Sequence, residues 1–209
     1  MTLLAITGSI SAYANLYAMH IRFGTHDDAK RIAELHTRSW QTAYSGIMPA
    51  GYLNGSLLDE RKAAWNTRLA AVTPESDHAS CLLVAAEGTA LVGFVYLTLE
   101  SDGRLLLDNL HVEPGHKRSG IGRQLVHRAF SWAATHHPGR VVYLEVLRDN
   151  VPAIAFYERL GGRPTKEFVE RFTMGFELPV IEYTWTQDLV GTLALLASET
   201  PPAGASAAG

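Results

Sequence analysis

A single cysteine, Cys81, has nothing to pair with inside the chain, so no intrachain disulfide can form, and a reduced, cytoplasmic setting is expected. Charge of one sign is equally scarce. The 18 Lys and Arg stand against 21 Asp and Glu, a formal net charge of −3, which gives no general attraction to nucleic acid or anionic membrane; neither is an expected partner. The nine histidines have no HExxH spacing and no cysteine partner at finger spacing, so scattered surface histidines and no metal are expected. No stretch reads well as a bilayer span. The first nineteen residues come nearest, but Gly8, Ser9, Ser11 and Asn15 interrupt them, and no Lys or Arg precedes the apolar stretch as a secretory signal requires. Residues 1–19 therefore read as an appendage, with Met19 an alternative start.

What the chain does have is material for a core. It is 47% hydrophobic over 209 residues, enough for one large domain. That domain is expected over 20–188, with a mobile tail, 189–209, ending in an Ala/Gly/Pro/Ser-rich stretch. His20–Phe23 alternates as a short strand. Thr25 and Asp28 resemble a capping box, and Ala29, Ile32, Ala33, Leu35 and Trp40 then fall largely on one helical face. A second helix is expected over Asp59–Val72. Cys81–Glu87, Ala90–Leu99 and Arg104–Val112 read as an antiparallel meander, in which Gly93 marks a bulge or a close backbone approach. A helix over Gly120–His137 and a strand over Val141–Leu147 then make a parallel crossover. A helix over Asn150–Leu160 and two strands, Thr165–Phe176 and Ile181–Gln187, complete an α+β (α/β) domain with a mixed, mostly antiparallel sheet and flanking helices.

The informative stretch is Lys117-Arg118-Ser119-Gly120-Ile121-Gly122-Arg123, between a strand and a helix. Glycines let backbone N–H groups approach a ligand without Cβ interference. The free amides of the first helical turn form an anion site, and Lys117, Arg118 and Arg123 add positive charge. A pyrophosphate is the obvious occupant, although a glycine-rich turn that merely opens a helix is common. A Rossmann site would need a third glycine where Leu125 stands. A P-loop would need Gly-Lys-Ser/Thr, which is absent.

Two further stretches sharpen this: Leu107-Asp108-Asn109-Leu110-His111-Val112-Glu113-Pro114, and the run Leu144 to Gly161 with Asn150-x-x-Ala153-x-x-Phe156-Tyr157-Glu158-x-Leu160-Gly161. Here the chain resembles the GNAT N-acetyltransferase superfamily, especially its ribosomal-protein N-terminal acetyltransferase branch. The acyl-CoA motif [Arg/Gln]-x-x-Gly-x-[Gly/Ala] is met at 117–122, with Lys117 in place of Arg or Gln. The resemblance covers about residues 20–188.

It implies a cleft where a parallel strand pair splays apart after residues 112 and 147, and acetyl-CoA as acyl donor. Backbone groups of Leu110, His111 and Val112 would bind the pantetheine arm like a missing strand. Loop 118–123 would hold the pyrophosphate, and Asn150 the arm. Tyr157 matches the family's proton donor to the departing thiolate. Glu145 falls where the ribosomal-protein branch has its base, and Asp108 is a competing acid. By the two-residue period, Asp108 and His111 should lie on opposite strand faces. The Val112 N–H is the expected oxyanion donor. Acceptor recognition falls to 36–58, where Trp40 and Tyr44 are expected to pack on the sheet.

The acceptor is a small-molecule or protein amine. A homodimer is compatible, because final strands often pair across dimers in this superfamily. Two rival classes remain: a non-catalytic acyl-CoA sensor on the same fold, and a nucleotide-binding oxidoreductase.

Overall fold

The computed structural model describes residues 19–70, 78–172 and 175–198. Seven strands form one sheet in the order β1-β2-β3-β4-β5-β7-β6: β1 His20–Phe23, β2 Ser80–Glu87, β3 Ala90–Leu99, β4 Leu105–Val112, β5 Val142–Leu147, β6 Arg163–Arg171 and β7 Glu177–Trp185. The helices are α1 Ala29–Ala43, the short α2 Ala50–Leu53, α3 Leu57–Ala70, α4 Ile121–His136, α5 Val151–Arg159 and α6 Gln187–Ser198. All neighbouring strands pair antiparallel except β4 and β5, as the crossover through α4 demands.

One sheet face packs on α4, whose Ile121, Leu125, Ala129 and Trp132 all enter the core with Leu144, Val146 and Trp185. The other face packs α1 and α3 against β2 and β3 through Ile32, Leu35, Trp65, Phe94 and Tyr96. Beside it, α2 covers Leu147 and Val180. Gly93 serves both expected purposes. The register slips beside it, from Ala85↔Gly93 to Ala86↔Leu91, and a Cβ there would sit 3.1 Å from Ile121 and Leu125. The missing side chain lets the start of α4 lie close on β3.

The Thr25–Asp28 box holds β1 to α1. The Thr25 N–H donates to Asp28 at 3.0 Å, and Arg22 grips the same carboxylate with two bonds, of 2.7 and 2.9 Å; Arg31 adds a third ion-pair contact. Burial alone would raise the pKa of Asp28. The bonds from Arg22 and Thr25 and the charges of Arg22 and Arg31 outweigh it and hold the pKa down at about 2, against an ordinary 3.8. The stabilisation is therefore complete above the ordinary value and is lost as pH falls toward about 2. Asp28→Ala should cost about 2 kcal/mol in denaturant unfolding at pH 7, with the deficit vanishing near pH 2. The cost stays modest because the two arginines left behind are 37% and 40% exposed and rehydrate. An unchanged midpoint would show that the box carries no net stability.

Several expectations are corrected. The segment 189–198 is not tail: it belongs to α6, whose Val190 and Leu193 enter the core. Read alone, its apolar run is short, and only α4 and the sheet end give it a face to cover. Met19 packs on the core rather than standing outside it; residues 1–18, assigned to the appendage, lie outside the described residues, as do 71–72 at the end of the expected second helix, the 73–77 stretch after it, and 199–209 of the tail. The last two strands end earlier than expected, at Arg171 and Trp185. The histidines are not all at the surface, since His36 and His127 are buried.

Candidate active site

β4 and β5 pair at only two positions, Leu105↔Val142 and Leu106↔Tyr143. Beyond them each strand keeps only its outer neighbour, β4 running with β3 to Val112 and β5 with β7 to Leu147. The cause lies in β4. The register passes from Tyr96↔Asn109 to Leu97↔Leu107, so Asp108 is an extra residue, and a bulge bends its strand away. The edge amides beyond it point into a gap. The Glu113 N–H donates to Val92 at 2.9 Å, so by alternation the Val112 and Leu110 N–H groups point off β3, into the cleft.

The same bulge corrects the expected placement of Asp108 and His111. Both reach the face covered by α1 and α3: Asp108 pairs with Arg68 of α3 at 2.7 Å, and His111 Nδ1 lies 3.0 Å from Ser39 Oγ of α1. The His111 ring lies 4.3 Å from that of His36, tilted by 31°. Burial, then the charges of Arg61 and Lys117, push the His111 pKa down to about 3. It is neutral at pH 7 and a weak base. Asp108 also accepts from the Asn109 side chain at 2.7 Å, so its carboxylate already has two partners.

At the mouth of the gap, Arg118 (φ 68°) and Gly120 (φ 86°) take left-handed conformations. Gly120 is the N-cap of the sixteen-residue α4, which no side chain caps. The first-turn amides of Ile121, Gly122 and Arg123 are thus available to an anion. Lys117, Arg118, Ser119 and Gly120 are exposed. Ser119 Oγ is turned inward, donating to the His116 carbonyl at 2.6 Å. The Ile121 side chain is buried, leaving only its backbone for a ligand. Arg123 lies along the helix, 3.4 Å from His127. A Cβ on Gly122 would stand 3.6 Å from Val112 and 3.7 Å from Phe156, so loop, β4 and α5 converge there.

On the far wall, Asn150 caps α5 by accepting from the Ala153 N–H at 3.4 Å. Tyr157 packs between Phe156 and Trp185, with ring centroids 5.4 and 6.0 Å away. Burial, then neighbouring Tyr44, raise its pKa well above 10. Its hydroxyl makes no hydrogen bond among the described residues. Glu145 is not buried among its apolar neighbours. Leu144 and Val146 turn into the core and Leu147 toward α2, so Glu145 alternates out to the Leu147 face, exposed and opposite Glu182. Partial desolvation, then Glu170 and Glu182, still raise its pKa.

Sequence reasoning placed Tyr44 in the acceptor segment but gave it only a packing role. Rather than only packing on the sheet, it lies within electrostatic reach of both Asn150 and Tyr157, which brings the 36–58 segment to the cleft. That reasoning missed Arg61, whose signal was legible: a charge in the i, i+4 stripe Leu57, Arg61, Trp65, Leu69. Among the described residues no group of three or more His, Cys, Asp or Glu is placed to hold a metal, and no helix is long and apolar enough to cross a membrane.

Residues 32–162 match the family described as "Acetyltransferase (GNAT) family". The chain belongs to the GNAT family. Streptothricin acetyltransferase of Streptomyces lavendulae is 35% identical over 88 residues, 42% of this chain and 46% of that enzyme. The uncharacterized N-acetyltransferase YuaI of Bacillus subtilis (strain 168) is 30% identical over 140 residues, 66% of this chain and 76% of its own length. The chain thus spans about half the length of the streptothricin enzyme. In structure it is similar to the PaiA N-acetyltransferase of Thermoplasma acidophilum in complex with coenzyme A, with a TM-score of 0.64 at 21% identity, covering 80% of this chain and 99% of that one. This GNAT chain therefore has the GNAT fold, one mixed sheet with flanking helices. The match leaves no place for the oxidoreductase reading, whose third glycine the loop already lacked.

Proposed function

We propose that this chain transfers an acetyl group from acetyl-CoA to an amine by direct attack on the thioester. The observation that carries the reading is the gap in the sheet: two paired positions between β4 and β5, then free edge amides leading to an uncapped helix N-terminus. Residues Lys117 to Arg123 hold the pyrophosphate through backbone amides and local positive charge. Leu110 and Val112 bind the pantetheine arm through the backbone groups that face the cleft, and Asn150 binds it from the other wall; His111, paired with Phe94, has its backbone groups turned to β3 and lines the arm only as their neighbour. The Val112 N–H bonds to the oxygen that gains charge as the carbonyl is attacked. Tyr157, protonated at neutral pH, supplies the proton to the departing sulfur.

Glu145 receives the amine proton through water, and Asp108 orders the polar face with Arg68. Glu145 holds the position that the ribosomal-protein branch uses, so a protein N-terminus and a small amine are both acceptors of the right chemistry. Cytoplasmic residence and a homodimer through the edge strand β6 belong to the same reading.

Thiol release from acetyl-CoA across a panel of amines tests the proposal. Binding without turnover would favour an acyl-CoA sensor instead. Glu145→Gln should lower kcat about 10- to 100-fold. A base works only when ionised, so wild-type activity should rise with pH through a point above the ordinary carboxylate range, and that limb should flatten in the variant. A limb unchanged in Glu145→Gln would assign the base elsewhere.

A further inference from the structure

We infer that the acceptor amine carries a carboxylate, which Arg61 binds on the acceptor side of the cleft; this rests on the acetyl-transfer reading above. Arg61 occupies a position that should be apolar. It lies in the α3 stripe between Leu57 and Trp65, which are 0% and 1% exposed. Its guanidinium carbon sits 4.1 Å from the centre of the Trp40 ring. Its Nε is buried with no hydrogen-bond partner, and among the described residues it makes no ion pair.

Among the described residues, no other guanidinium has a buried nitrogen left without a hydrogen-bond partner. Arg22, Arg31, Arg38, Arg68 and Arg104 each have a carboxylate oxygen within 3.1 Å. Two carboxylates act on Arg61 from a distance, Glu60 and, more weakly, Asp108; neither is in ion-pair contact with it, since Glu60 accepts from the Ser56 hydroxyl and Asp108 is committed to Arg68. The histidines facing Arg61 are held neutral, His36 and His111 each by burial first and by Arg61 among the neighbouring charges. A cation taken partly out of water with no counterion is an unmet demand for an anion. A guanidinium's planar fork meets a carboxylate with two bonds at once.

The position fits an acceptor. Trp40 lies 5.0 Å from Tyr44, and Tyr44 neighbours Tyr157. Tyr157 and Arg61 are thus separated by two aromatic rings that stand one helical turn apart on α1, about 6 Å of rise. A molecule with its amine at Tyr157 and its carboxylate at Arg61 would lie along Tyr44 and Trp40. Amino-acid-like amines with several atoms between the two groups match that spacing.

The test uses the full chain with 4-aminobutyrate and 6-aminohexanoate, each paired with its own carboxamide. The amines are far enough from the carbonyl that their basicity changes little, and only the negative charge is removed. Wild type should favour the carboxylates at least 10-fold in kcat/KM. Arg61→Gln and Arg61→Met should abolish that preference while acetyl-CoA affinity stays unchanged. Arg61→Met should melt no lower than wild type, since it keeps the stem and removes an unpaired charge. Equal use of acid and amide, a preference that survives both variants, or a lowered melting temperature in Arg61→Met would each overturn the inference. If acetyl-CoA binds but no amine turns over, the acetyl-transfer reading fails. Calorimetry of 6-aminohexanoate against its carboxamide, in the presence of CoA, then decides the anion site alone: binding of the acid lost in Arg61→Gln supports it, and equal or absent binding overturns it.

Discussion

Gly122→Val should raise the acetyl-CoA dissociation constant about 10- to 100-fold, or about 1.4–2.7 kcal/mol, with little change in melting temperature. A single added carbon would be tolerated, because a Cβ at 122 meets Val112 at 3.6 Å and Phe156 at 3.7 Å, ordinary contact distances. The two further methyls of valine have only those walls or the anion site to enter. Either choice narrows the place where the first-turn amides of α4 face the cleft. Folding should survive, since Gly122 has an ordinary φ and valine loses only tenths of a kcal/mol of helix propensity relative to better helix formers. Isothermal calorimetry with acetyl-CoA, beside a thermal melt, separates the two effects. An unchanged dissociation constant in a folded variant would move the pyrophosphate away from this turn.

The loop and the motif were legible because they are local. Gly120 and Gly122 lie beside a helix whose apolar residues recur at helical spacing, and the Asn150-to-Gly161 run carries its own chemistry. The meander and the crossover followed from alternation and from glycine turns. What stayed hidden depended on distant partners. The bulge at Asp108 has no glycine to announce it, so a strict two-residue period put Asp108 and His111 on opposite faces; one inserted residue reverses that result. Helix α6 looks like a tail until α4 supplies the surface that Val190 and Leu193 cover. Tyr44 reads as packing because its i, i+4 partner Trp40 is next to it on the same helix, whereas Asn150 and Tyr157 are more than a hundred residues away. Glu145 was open on sequence alone. Its apolar neighbours fit either a buried carboxylate or a solvated rim, and the side is decided by the strand, whose flanking residues point to the opposite face.

Tyr157→Phe should lower kcat about 100-fold while leaving the acetyl-CoA dissociation constant near wild type. Phenylalanine fills the same space between Phe156 and Trp185. The lost hydroxyl leaves no broken hydrogen bond among the described residues, so stability should hold. The size of the drop follows from what the proton must do. A thiol titrates near pKa ~8.5 and a phenol near ~10, so passing the proton from tyrosine to sulfur is uphill even in water. Burial and the nearby Tyr44 raise the Tyr157 pKa further, which makes full transfer harder than for an ordinary phenol. The proton is therefore best passed as the carbon–sulfur bond breaks, when the sulfur carries negative charge that the hydroxyl can neutralise within the same apolar wall. A raised pKa also keeps Tyr157 protonated throughout the neutral range, so the wild-type profile should show no alkaline loss from this group below pH ~10. Thiol-release kinetics from pH 6 to 9 on both proteins would read the rate and the profile together. Equal turnover in the two would show that another acid protonates the sulfur, and a large loss of acetyl-CoA affinity in Tyr157→Phe would show that the hydroxyl binds the donor rather than completing the reaction.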